Sequence, residues 1–107
     1  MSIWNFFSRT QEKSFVAQQL AVLVKDLPPT LIQDGRGKVS VNKITRHLER
    51  VYKAASDFKE AQNIGFMGRA VMANAFKWGL KECGYPDEFA DMATEGLVVA
   101  LSKKASA

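Results

Sequence analysis

Apolar residues recur at spacings of three and four in four separate stretches of this chain, and each stretch predicts a helix. In the first, Val16, Leu20, Leu23, Val24 and Leu27, with Ala17 and Ala21, share one side over about Thr10 to Asp26 or Leu27. Thr10 is the expected cap, Gln11 and Glu12 suit the first turn, and Pro28-Pro29 forbids continuation. Phe15 and Val22 fall on the opposite, polar side and need a cover, from the aromatic N-terminus or a second subunit.

The second stretch, about Val41 to Ala61, is the cleanest. Val41, Ile44, Leu48, Val51, Tyr52, Ala55 and Phe58 share one face and charges fill the other. Ser40 or Asn42 is the expected N-cap. Gln62-Asn63 makes a tight connection with Asn63 left-handed, so this helix and the next are expected to lie antiparallel. The third stretch, Ile64 to Cys83, is apolar around nearly its whole girth: Phe66, Met67, Val71, Met72, Phe76, Trp78 and Leu80 leave a narrow strip of Asn74, Lys77 and Lys81. Such a helix is expected at the centre, wrapped by its neighbours. Gly65, Gly68, Met72, Ala75 and Gly79 cluster where a second backbone can approach, and each helical glycine costs about 1 kcal/mol relative to alanine unless packing offsets it. Gly84 ends this helix and Pro86 opens the fourth, with Asp87 and Glu88 at the positive end of its dipole. Phe89, Ala93, Leu97, Ala100 and Leu101 form its core face, and Met92 and Val99 a thinner stripe.

Between the first two helices, Asp34-Gly35 separates Leu31-Ile32 from Val39-Ser40-Val41, which reads as a loop or a short β-hairpin. The pattern as a whole predicts an all-α, compact four-helix bundle with the apolar third helix central. At 107 residues it is expected to be a single helical domain over 1–107, with residues 1–9 an aromatic N-terminal segment or arm.

Composition adds exclusions. With 47% hydrophobic and 24% charged residues the chain falls among globular proteins. Cys83 is the one cysteine, which excludes an internal disulfide and a cysteine metal cluster. No run approaches the roughly 20 apolar residues of a membrane span, and the start lacks secretory-signal features, so a cytoplasmic location is expected. A formal charge of +4 admits nucleic acid, anionic lipid or an acidic protein without choosing among them.

Candidate chemistry is sparse. Antiparallel second and third helices would bring His47 opposite residue 79 and within about 6 Å, along the axis, of Cys83. No third orienting group accompanies that pair, and a packed, inert thiol is the expectation. Asp34-Gly-Arg-Gly-Lys38 is not a P-loop: only Arg36 separates its glycines, and Val39 follows the lysine. Asp87, Glu88, Asp91 and Glu95 lack the alternating ligand pattern of a calcium loop and are explained by the helix dipole. No catalytic residue, cofactor, metal or small-molecule substrate is implied, and the chain is not expected to be an enzyme.

Two surfaces remain. Trp4, Phe6 and Phe7, with Phe15 and Val22, supply an apolar anchor for a protein partner or a second copy. Arg36, Lys38, Lys43, Arg46, Arg50 and Lys53 form a basic stripe able to follow acidic partners or a phosphate backbone, diluted by Glu49 and Asp57. The expectation is a small cytoplasmic protein-binding or regulatory module, with a homodimer one form of it. The alternatives are nucleic-acid binding through the basic face and, behind it, membrane association through the aromatic N-terminus.

Overall fold

The computed structural model describes residues 9–33 and 39–103, and every regular element among them is helical. In order these are α1 (Thr10–Asp26), a short α2 (Thr30–Gln33), α3 (Val41–Gln62), α4 (Phe66–Glu82) and α5 (Asp87–Ser102). The four long helices are those the apolar spacing predicts.

Their ends follow from local chemistry. The Ser40 hydroxyl accepts the Lys43 amide at 3.1 Å, capping α3 as expected. Asn63 turns left-handed at φ 55°, and the amides of Asn63 and Ile64 donate to the carbonyls of Glu60 and Lys59. Gly84, at φ 103°, repeats this at the end of α4: the Gly84 and Tyr85 amides donate to Lys81 and Leu80. Thr10 does not cap α1. It is the first helical residue, and the left-handed Arg9 precedes it with no side-chain cap bond. Pro86 is the N-cap of α5 rather than its first residue.

The stretch between α1 and α3 departs from a hairpin wherever it is described. Pro28 and Pro29 each offer a carbonyl to an amide three residues on, so Leu31 and Ile32 sit in the single turn of α2, half-buried against the core. Val41 already belongs to α3, and residues 34–38 lie outside the described residues.

Packing corrects the sequence reading in one major respect. α4 packs on α1 and α5, α5 also packs on α3, and α1 makes a lesser contact with α3. Consecutive α3 and α4 hardly touch, so the tight turn at Asn63 redirects the chain without folding the helices face to face. The largest fully buried side chains, Leu23, Leu27, Met72, Phe76, Leu80, Leu97 and Leu101, come from α1 and its C-cap, α4 and α5. Each such burial removes about 1.5–3 kcal/mol of apolar exposure. Leu48, Val51 and Ala55 bring α3 onto this core. The Cα radius of gyration is 14.2 Å, near the roughly 13 Å of a folded chain of about this size.

Candidate functional site

The two buried charges among the described residues each meet the end of another helix. Glu12 on α1 is 3% exposed and pairs with Arg9 at 3.2 Å. Its carboxylate also abuts Gly68 in the first turn of α4, 2.7 Å from where a Cβ would stand. Negative charge is favoured at that positive helix end. Lys59 on α3, 6% exposed, donates to the carbonyls of Leu101 and Lys103 at 3.0 and 2.7 Å and pairs with Glu60. It thereby serves carbonyls that the C-terminus of α5 leaves unbonded. Both residues have structural partners. The apolar pattern assigns Lys59 to solvent; its position one turn beyond Ala55, on the buried side, is the signal that identifies it.

The tyrosines are tied in the same way. The Tyr85 hydroxyl donates to the Leu27 carbonyl at 2.6 Å and its ring stacks on Phe89. The Tyr52 hydroxyl donates to the Ala93 carbonyl at 2.7 Å. Burial pushes the Tyr52 phenol up to about 12 and raises that of Tyr85 further.

The Cys83–His47 idea loses its geometric basis, because it required α3 to lie along α4. Cys83 is exposed, and its thiol is held above its ordinary value by partial burial and by the Glu82 carboxylate, the opposite of an activated nucleophile. Among the described residues no group of three His, Cys, Asp or Glu side chains is placed to hold a metal ion, and no helix is long and apolar enough to cross a membrane.

Of the expected anchor, Trp4, Phe6 and Phe7 lie outside the described residues. Phe15 stacks on Phe58 of α3, ring centroids 4.3 Å apart, so its cover comes from within the chain. Val22 is exposed. Of the basic stripe, Arg36 and Lys38 lie outside the described residues. Lys43, Arg46 and Arg50 are exposed on α3 and form no ion pair among the described residues; Lys53 pairs with Asp57 at 3.2 Å. The chain matches no protein-family model, no curated protein and no solved structure.

The surface that sequence reading missed is the outer side of α4 and α5. The third predicted helix is not wrapped all round: Phe66 is 73% exposed, Trp78 52%, and Met67 is also open to solvent. Met92, Val98 and Val99 of α5 are exposed as well. Between the two helices runs a groove of about 350 Å³ lined by Phe66, Ala70, Ala73, Val98 and Leu101, with Arg69 and Ser102 among its polar lining. Towards its other end Lys77 and Lys81 reach Asp91 at 3.7 Å, and Lys81 reaches Asp87 at 3.9 Å. Lys81 also lies 5.0 Å from the Trp78 ring centroid, and the Trp78 indole donates to Asn74. A larger depression between α3 and α5, about 850 Å³, includes Glu49, Lys53, Asp57 and Glu60 in its lining and is more polar in character. The α4–α5 groove therefore offers an apolar floor with charge at its margins.

Proposed function

We propose that this chain is a small non-enzymatic, protein-binding helical module whose contact surface is the outer face of α4 and α5. In this reading the four long helices close a bundle in the order α1, α4, α5, α3, placing α3 and α4 on a diagonal and leaving the α4–α5 face unoccupied. The carrying observation is the exposure of Phe66 beside the Ala70–Ala73–Val98 groove. Large apolar side chains grouped on one face of a soluble fold are a recurrent mark of interaction sites. The raised Cys83 thiol gives no support to a nucleophilic role for that residue.

The test is a pair of surface substitutions. Phe66→Glu and Val98→Glu alter exposed positions and should leave helix content and thermal midpoint nearly unchanged. Each should lower affinity for a protein partner by tenfold or more, roughly the effect of losing an apolar anchor. A partner bound equally well by both variants and by the parent chain would refute the assignment.

A second reading rests on Lys43, Arg46 and Arg50, exposed on α3 and without ion-pair partners among the described residues. If that stripe follows a phosphate backbone, affinity for DNA or RNA falls steeply with salt and falls again in the Arg46→Ala, Arg50→Ala double variant. Absence of any mobility shift at low salt dismisses it.

A further inference from the structure

We infer that the occupant of the α4–α5 face is a second copy of this chain, related by a two-fold axis running along the helices. This rests on the binding role proposed for that face and names its partner.

The argument is charge and register. The cations of α4 are Arg69, Lys77 and Lys81, and its one carboxylate is Glu82 at the last position. α5 carries Asp87, Glu88, Asp91 and Glu95 and no cation. The face is thus basic on one helix and acidic on its neighbour. Residues level with one another across the crease are known: Lys77 lies beside Asp91, Thr94 and Glu95, and Phe66 and Ala70 lie beside Val98 and Ser102. A two-fold axis in the interface and parallel to the helices sets α4 of one copy on α5 of the other while keeping every level unchanged. Lys77 then faces the acidic level of the second copy, Asp91 and Glu95, and Phe66 faces its Val98. Glu95 has no ion pair within its own chain among the described residues, so this arrangement supplies a cation that the monomer does not. An axis perpendicular to the helices would instead lay α4 on α4 and α5 on α5, setting like charges together, which opposes association. One self-complementary patch that pairs with itself is the geometry of a closed two-fold dimer.

Sedimentation of the full chain from about 1 µM to about 1 mM should show a monomer–dimer equilibrium. Lys77→Glu and Glu95→Lys should each weaken self-association about tenfold or more, and an equimolar mixture of the two should regain parental affinity, because each reversed charge then meets its opposite across the axis. Circular dichroism confirms that the variants are folded, and Phe66→Ser, which leaves the charges alone, should also dissociate the dimer. Three outcomes overturn the inference. One is a monomer at every concentration; if that monomer still binds another protein in a Phe66-dependent manner, the binding role stands and self-pairing falls. Another is a dimer indifferent to these substitutions, which is assembled through a different face. The third is a charge-reversed pair that does not recover on mixing.

Discussion

A Cβ at Gly96 would press into the Tyr52 ring, with Cζ at 2.6 Å and Cε2 at 2.8 Å, and the Tyr52 hydroxyl is held there by the Ala93 carbonyl. A ring cannot swing aside as the end of an aliphatic chain can. Gly96→Ala gains about 1 kcal/mol of helix propensity but forces overpacking of about 1–3 kcal/mol and loosens that hydrogen bond. Urea unfolding should show a net loss of about 1 kcal/mol, and unchanged or higher stability would contradict the close approach. Gly79 meets only the Leu20 side chain, which can rotate, so the same change there is expected to cost less. Close approach at Gly68 and Gly79 was legible in the sequence, but side chains rather than a second backbone meet them, and Gly65 faces open space. The role of Gly96 was not legible, because it depends on a tyrosine from another helix. Lys59 presents a similar case. Lys59→Met should cost about 2 kcal/mol, since two carbonyls at the end of α5 lose their donor. Lys53→Met, which breaks an exposed pair, should stay within about 1 kcal/mol. Equal losses at the two sites would mean that the buried bonds contribute little.

Helix boundaries were readable where a local motif sets them. Ser40, Asn63 and Gly84 act through their own backbone geometry, and each does what its residue type predicts. Thr10 is not the cap because it is already the first helical residue, with the left-handed Arg9 in the N-cap position. Asn63 offers the cleanest test at this scale. Asn63→Ala places a Cβ in the left-handed region without the local bonds that asparagine can make, and should cost about 1 kcal/mol, whereas Asn63→Gly should cost nothing. Parallel thermal unfolding of the two variants decides the matter; an alanine variant as stable as the glycine one would show that this turn is not strained. Apolar faces were less complete guides than caps. Val41 and Phe66 fit their helical patterns yet lie in solvent, because each sits in the first turn of its helix, where few neighbours reach. The spacing of residues fixes which side is apolar, and only the other helices decide which part of it is covered.

Across the whole molecule, Tyr52 and Tyr85 pin separate parts of the fold: one joins α3 to α5, the other joins the end of α1 to the α4–α5 turn. Both phenols have folded values above the ordinary value of 10.0. The fold therefore holds the proton more tightly than the unfolded chain. Their stabilising contribution is complete below about pH 10 and is lost as the pH rises through about 12 and beyond. Unfolding free energy should decline over that window, and less steeply in the Tyr52→Phe, Tyr85→Phe double variant; identical slopes would remove the tyrosines as its cause. Helical content was foreseeable from periodicity, but core membership on α4 only in part: Met72, Phe76 and Leu80 are buried, whereas Phe66, Met67 and Trp78 are exposed. The pairing of helices was not, because a short connection suggests neighbours in space, and here α3 instead finds its partners in the first and last helices.

With α3 set apart from α4, the longest closure in the fold is the one between α1 and α4. The α4–α5 contact closes through a short turn and α3 reaches α5 across α4 alone, whereas α1 must reach α4 across the whole of α3. α1 should thus join late in the folding reaction. Stopped-flow measurements on Val16→Ala should show mainly faster unfolding, with the refolding rate almost untouched, while Phe76→Leu should slow refolding.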